Sequence, residues 1–165
     1  MARKGMPTPP KFLAGKKTDK GVTNVRNVSS PHWRRWLAIG NRCVVPFNSF
    51  SENAPMTFEP VWFALNESRP LAFFAGIWTP WTSVRKLKEG ETTNDIFAFL
   101  TTTPNAEVAP THPKAMPVIL TTPDDVETWL AAPPAVALQL QRPLPDGSLR
   151  IVAVGEKQDT IPAVA

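Results

Sequence analysis

The polar residues of this sequence that are best suited to chemistry stand next to apolar runs. Glu52 comes shortly after the hydrophobic run of residues 42–47. Apolar walls raise the pKa of a carboxyl group and allow it to exchange protons near neutral pH. Glu52 is therefore the acid best placed for proton transfer, and a loop glutamate that faces solvent is the alternative.

His112, Asn24 and Arg26 are the other candidates for a site. His112 lies in a loop before the apolar run of residues 117–120, and histidine can act as a general acid or base because it titrates near neutral pH. Asn24 and Arg26 fall on one side of an extended segment, where side chains repeat every second residue. Their amide and guanidinium could bind a phosphate and orient a reacting group. A purely structural or solvated role is the alternative for each of the three.

Several common site types are not indicated by the sequence. His32 and His112 are the only histidines, and neither has a second His or Cys at metal-ligand spacing. No glycine-rich phosphate loop is present. Cys43 lies inside an apolar run, where a cysteine usually packs as a small hydrophobic residue. We therefore predict no metal site, no bound cofactor and no cysteine nucleophile.

Short apolar and aromatic runs predict the strands that position these residues. A cap at Ser30 with Pro31 predicts a short helix that ends near Gly40, and Thr122 with Pro123 predicts a second helix. Residues 1–22 have no periodicity and predict a loop. The sequence thus predicts one α+β domain over residues 1–165, mostly β, with a compact, barrel-like sheet and a few short helices. The strand-like runs are residues 42–47, 61–65, 71–78, 96–101, 117–120 and 149–154.

The charge is unevenly distributed along the chain. Residues 1–42 hold ten basic residues and one acidic residue, whereas the rest holds eight basic and thirteen acidic residues. Such a basic segment predicts an anionic partner, most commonly nucleic acid, and a solvated basic surface is the alternative. No apolar run is long enough to span a membrane, and nothing resembles a signal peptide. We therefore predict a cytoplasmic protein without membrane attachment.

Taken in order, the motifs resemble the signatures of the SOS response-associated peptidase (SRAP) family. The resemblance runs from near the first residue to about Leu130, and it depends on the ordered set rather than on one motif. The motifs are Asn24-x-Arg26, Arg42-Cys43-Val44-Val45-Pro46 with Phe50-x-Glu52, residues 71–78, residues 101–106, residues 112–120 and Trp129-Leu130.

The resemblance implies a mostly β fold that binds single-stranded DNA at abasic sites. Members of this family trap the abasic aldehyde with a cysteine at the mature N-terminus. Carried over by position, Asn24 would orient the reacting sugar or cysteine. Glu52 would act as general acid or base, and His112 would assist opening of the sugar and proton transfer to its oxygen.

The resemblance also implies DNA contacts. Arg26 would hold a phosphate, Lys114 would stand where the family usually has a phosphate-binding arginine, and Thr101 would contact the sugar or backbone. Arg3 and Lys4 belong to a segment that resembles an internal Arg-Trp-Gly motif of the family, and they would contact DNA as well.

Several positions depart from the family pattern. Position 2 is Ala2 rather than cysteine, so we expect the N-terminal section of the family to be missing here and the covalent trapping and N-terminal autoprocessing to be impaired. Lys4 and Asn53 replace tryptophans that could stack on bases. Ala115 is an additional residue between His112 and Met116. Loss of a strand would also expose a sheet edge, which predicts association into a homo-oligomer.

The sequence thus predicts an SRAP-type protein that binds abasic single-stranded DNA in the DNA damage response. A non-catalytic single-stranded DNA binding module is the alternative, with affinity from basic residues and tryptophans. A peptidase that uses Glu52 and His112 is the third hypothesis, and it ranks lowest because no serine or cysteine has a recognisable base beside it.

Overall fold

Two β-sheets and a few short helices make up the part of the protein that the computed structural model describes, residues 2–160. Strand accounts for 35% of the residues and helix for 18%, which confirms the predicted mostly β, α+β class. The strands are β1 (Arg3–Lys4), β2 (Asn24–Val25), β3 (Arg42–Phe47), β4 (Phe50–Asn53), β5 (Pro60–Ala64), β6 (Ala72–Val84), β7 (Glu91–Thr102), β8 (Met116–Pro117), β9 (Ile119–Leu120) and β10 (Arg150–Val154). The α-helices are α1 (Pro31–Arg34), α2 (Pro123–Ala131) and α3 (Pro134–Ala137), and 3₁₀ turns cover Pro10–Phe12, Ile39–Asn41, Leu87–Glu89 and Leu138–Leu140.

The larger sheet is built around the long antiparallel hairpin of β6 and β7. Strands β3 and β9 pair with β6, while β1 and β2 pair in parallel with β7 and β8 pairs with its end. The smaller sheet has the order β10-β5-β4. These sheets do not close into a barrel, so that part of the predicted architecture is wrong: β3 and β4 follow each other in sequence but belong to different sheets.

Both faces of the β6–β7 hairpin are covered, which explains the nearly continuous apolar runs in its sequence. On one face, Ile77 and Leu100 pack with Trp33 and Trp129. On the other face, Phe74 belongs to an aromatic cluster that joins the two sheets. The ring centroids of Phe47 and Phe74 lie 4.0 Å apart and those of Phe50 and Phe74 lie 5.7 Å apart.

The helices follow the predicted caps in part. Helix α2 begins as expected, because the Thr122 hydroxyl accepts a hydrogen bond from the Asp125 amide at 3.1 Å. The predicted helix after Ser30 is reduced to α1 and a separate 3₁₀ turn at Ile39–Asn41, and the Ser30 side chain makes no capping hydrogen bond, so the predicted cap is wrong. Its apolar face is nevertheless buried as predicted: Trp33, Trp36 and Leu37 are at most 7% exposed.

Gly76 allows helix α2 and strand β3 to approach β6 closely. The Trp129 indole donates to the carbonyls of Cys43 and Gly76 at 2.8 and 3.2 Å. A Cβ atom on residue 76 would lie 2.9 Å from the Cys43 sulfur, so only glycine fits here without rearrangement.

Strand β3 is an edge strand of the larger sheet. Association of two copies of the chain through such an edge stays a prediction. Among residues 2–160, no helix has both the length and the apolar character to cross a membrane.

Candidate active site

A cavity of about 330 Å³ lies where the two sheets meet, and most of the predicted site residues line it. Strands from both sheets and the loop before β8 contribute to its walls. Its lining combines polar groups with aromatic and aliphatic ones: Lys4, Asn24, Phe50, Ser51, Glu52, Phe74, Phe99, Thr101, His112, Ala115, Met116 and Pro117. The predicted catalytic residues Asn24, Glu52 and His112 therefore share one cavity.

Strand register explains why residues so distant in sequence meet here. Strands β1 and β2 pair with the side of β7 that faces away from β6. In this pairing Lys4 lies opposite Phe97, and Asn24 lies opposite Phe99. Directly opposite residues in neighbouring strands project to the same face, and alternate residues along one strand share a face. Lys4, Asn24, Phe99 and Thr101 thus project from one face of the larger sheet. Glu52 reaches the same cavity from β4 of the smaller sheet.

The Glu52 carboxyl is held in an unusual environment for an acid. Burial beside aromatic walls raises its pKa, and electrostatic attraction from the neighbouring His112 and Lys4 side chains only partly opposes this shift. Within residues 2–160, no hydrogen bond reaches its carboxylate oxygens. The group therefore keeps its proton to higher pH than an ordinary glutamate, which is the direction a general acid requires.

His112 is oriented by the loop that carries it. Its Nδ1 lies 2.6 Å from the Ala115 carbonyl oxygen, and its backbone amide donates to Val108 at 2.8 Å. A carbonyl only accepts hydrogen bonds, so Nδ1 must carry the hydrogen. The neutral imidazole therefore has its lone pair on Nε2 and can accept a proton there. Ala115, the additional residue of the sequence motif, supplies the contact that selects this tautomer.

Lys4 places an amine in the cavity, which the sequence analysis did not anticipate. Its Nζ lies 4.3 Å from the centre of the Phe99 ring. Partial burial lowers the pKa of the Lys4 ammonium, and the nearby Glu52 charge opposes that shift. The sequence marked Lys4 only as a DNA contact, because its position in the cavity depends on the pairing of β1 with the distant strand β7.

Positively charged residues lie at the rim. Arg26 is exposed, and its Nη1 donates to the Lys114 carbonyl at 3.3 Å. The Gln141 side-chain amide connects this rim to the cavity wall, because it donates to the carbonyls of Arg26 and Thr101 at 2.8 and 3.0 Å. Thr101 is buried, whereas Lys114 is exposed. The three predicted DNA contacts Arg26, Lys114 and Thr101 thus lie next to the catalytic candidates.

Arg3 is the one predicted site residue that the structure separates from the others. It lies next to Lys4 in β1, and alternation along the strand sends its side chain to the opposite face. There its Nη1 lies 3.4 Å from a carboxylate oxygen of Glu89. A DNA contact at Arg3 would have to lie outside the cavity.

Among residues 2–160, the remaining reactive side chains form no second reactive site. Cys43 is half-buried, and burial raises the pKa of its thiol to about 11, so the thiol stays protonated at neutral pH. In the described range 2–160, no three His, Cys, Asp or Glu side chains lie close enough together to hold a metal ion.

Comparison with known families identifies the chain. The model of the SOS response associated peptidase (SRAP) family matches residues 8–159, and the chain therefore belongs to this family. The family name links the protein to the SOS response, the cellular response to DNA damage.

Two crystal structures have a similar fold. A protein from Bacteroides thetaiotaomicron is 23% identical with a TM-score of 0.63, and the match covers 77% of this chain and 56% of that one. A protein from Bordetella bronchiseptica is also 23% identical with a TM-score of 0.64, and the match covers 90% of this chain and 74% of that one. At this level of identity the likeness establishes the fold only. The chain thus spans little more than half the length of the first of these proteins. Comparison with curated proteins gives no significant match.

Proposed function

We propose that this protein binds single-stranded DNA at abasic sites and that its cavity carries out proton transfers at the opened sugar. The observation that carries this proposal is the convergence of Asn24, Glu52 and His112 in one cavity with a basic rim. An abasic deoxyribose opens to a free aldehyde, a small polar group attached to a phosphodiester chain. A small cavity that holds an acid and a base, bordered by cations, suits such a substrate.

The environments of Glu52 and His112 support different roles for the two side chains in proton transfer. Glu52, with its raised pKa, would donate a proton to the aldehyde oxygen. His112, with its lone pair on Nε2, would accept a proton from the sugar hydroxyl or from an attacking group. Asn24 makes no side-chain hydrogen bond within residues 2–160 and would orient the sugar.

The rim would hold the DNA strand. Arg26 and Lys114 would contact phosphates, and Thr101 would contact the sugar or the backbone inside the cavity. Arg3, on the opposite face, would contribute only to a longer strand that passes around the sheet edge. A location in the cytoplasm accords with this role and stays a prediction.

A non-catalytic DNA-binding module is the second candidate, because the exposed cations at the rim would bind a strand without any chemistry. Peptide hydrolysis has less support. Ser51 and Thr101 are the hydroxyl side chains of the cavity, and within residues 2–160 neither hydrogen-bonds to His112, as a nucleophile and its base would.

Binding to a labelled oligonucleotide with one tetrahydrofuran residue, a stable abasic analogue, tests the proposal by fluorescence anisotropy. We expect tighter binding to this strand than to an intact single strand or a duplex. Arg26→Ala should weaken binding and reduce the slope of log K against log salt by about 0.7, the value for one lost phosphate contact on a single strand.

Arg142→Ala is the matched control, because Arg142 is exposed and its nearest acidic partner, Asp125, is 3.7 Å away. That variant should leave affinity and salt slope unchanged. Equal affinity for intact and abasic strands, or no binding at all, would contradict the proposal.

A further inference from the structure

We propose that the Lys4 amine is the nucleophile of this cavity and that it forms a Schiff base with the aldehyde carbon of an opened abasic sugar. This inference rests on the proposed function, since it assigns the group that reacts with the proposed substrate.

The position of the amine carries the argument. Lys4 lines the same cavity as Glu52 and His112, on the face from which Asn24 also projects. Within residues 2–160, no carboxylate lies within ion-pair distance of its Nζ. By contrast, Lys86 and Arg3 both pair with Glu89, at 3.2 and 3.4 Å. The Lys4 amine is thus available for reaction.

The surroundings of Lys4 favour its reactive form. An amine attacks a carbonyl only when it is neutral, and desolvation against apolar groups is one way in which proteins activate a lysine. Lys4 as a whole residue is exposed, but its Nζ lies 4.3 Å from the centre of the Phe99 ring, and this partial desolvation lowers the pKa of the amine despite the opposing charge of Glu52. A larger fraction of the amine is therefore neutral near pH 7 than for a solvated lysine.

The neighbours of Lys4 can carry every proton of the reaction. The neutral Nζ forms a bond to the aldehyde carbon, and the carbonyl π electrons move to oxygen, which takes the proton of Glu52. The positively charged nitrogen gives one proton to His112 Nε2, and this yields a carbinolamine. His112 then returns that proton to the hydroxyl, which leaves as water while the nitrogen lone pair forms the C=N bond.

The overall reaction converts an amine, an aldehyde and a protonated Glu52 into an iminium ion, water and the Glu52 carboxylate. No oxidant, reductant or metal enters the balance. The Glu52 carboxylate that forms lines the same cavity as the new positive charge, and its negative charge favours the iminium ion.

Reductive trapping tests this inference directly. The full chain is incubated with a single-stranded oligonucleotide that carries one natural abasic site, with and without sodium cyanoborohydride, and the adduct is mapped by peptide mass spectrometry. We expect an adduct that requires the reductant and maps to Lys4. Lys4→Arg keeps the charge but not the nucleophile, and it should lower the trapped yield by about tenfold or more.

Lys88→Arg is the matched control, because Lys88 is an exposed lysine in the turn between β6 and β7, and it should leave the yield unchanged. An adduct that maps to the α-amine of the chain, or one that persists in Lys4→Arg, would overturn the assignment. So would the absence of an adduct from a protein that binds the tetrahydrofuran strand. Lack of binding to that strand would instead refute the proposed function itself, and the two failures are thereby distinguishable.

Discussion

Glu52 and Asp19 are two carboxylates that folding withdraws from water, and their surroundings differ in kind. Burial alone would raise the pKa of Asp19, but hydrogen bonds and the Arg85 charge outweigh it, so its pKa lies below the usual range. The Asp19 carboxylate accepts from the Thr8 amide at 3.1 Å, the Thr8 hydroxyl at 2.5 Å and the Gly21 amide at 2.8 Å. The Glu52 carboxylate has no such donors within residues 2–160, and burial raises its pKa.

The difference separates a carboxylate that supports the fold from one that is available for reaction. Asp19 joins both arms of the loop over residues 5–22 and keeps its charge because donors surround it. Glu52 faces a cavity with Lys4 and His112 but is not satisfied by either. Unsatisfied, partly buried acids are costly to the fold and cluster at functional sites.

The largest expected effect is on the reaction at the cavity. Glu52→Gln removes the proton donor but preserves size, so we expect the rate of cyanoborohydride-dependent trapping to fall by about 10²–10⁴-fold, as for loss of a general acid. Binding to the tetrahydrofuran strand should be retained. Single-turnover trapping, quantified on denaturing gels, measures the rate.

Glu59→Gln, at an exposed glutamate close in sequence, is the control and should react like the unmodified protein. An unchanged rate in Glu52→Gln would remove the distinction between the two carboxylates.

A smaller effect is expected from the structural carboxylate. Asp19→Ala leaves the Thr8 and Gly21 donors without their acceptor, so the free energy of unfolding should fall by about 1–3 kcal/mol. Urea unfolding followed by tryptophan fluorescence measures this change. DNA affinity and trapping rate per folded molecule should not change.

Asp95→Ala is the control, since Asp95 is exposed and its carboxylate accepts no hydrogen bond from residues 2–160; its unfolding curve should match that of the parent protein. If Asp19→Ala were equally stable, the hydrogen bonds at Asp19 would not support the fold as described.

The smallest effect concerns pH. Folding raises the pKa of Glu52, so the folded state holds this proton more tightly than the unfolded state. The contribution of Glu52 to the free energy of unfolding is therefore greatest below the ordinary glutamate pKa, and it declines as the pH rises through the pKa of the folded state. Glu52→Gln removes this pH-dependent decline in stability. The variant should therefore be more stable than the parent at neutral pH, with the gain vanishing as the pH falls to about 4, near the ordinary pKa.

Thermal melts of both proteins across this range provide the measurement. A Glu52→Gln variant that is less stable at pH 7 and gains on acidification would show that the carboxylate is satisfied after all.

Much of the architecture could be predicted because its signals are local. The strands over residues 42–47 and 96–101 appear in the sequence as apolar runs, and the Thr122 cap marks the start of α2. The predicted catalytic residues Asn24, Glu52 and His112 meet as the proposed chemistry requires, while their roles remain to be tested. The prediction of a barrel-like sheet was wrong, because a single apolar run does not encode which other strands it pairs with.

By itself, the sequence determined the mostly β class, the Thr122 cap of α2 and the types of side chain available for chemistry. These properties depend on each residue and its neighbours along the chain. Only the tertiary structure decided that Lys4 enters the cavity while Arg3 leaves it, and that Ala115 selects the tautomer of His112. Each of these depends on a pairing register or a loop closure, where a shift of one residue reverses the direction of a side chain.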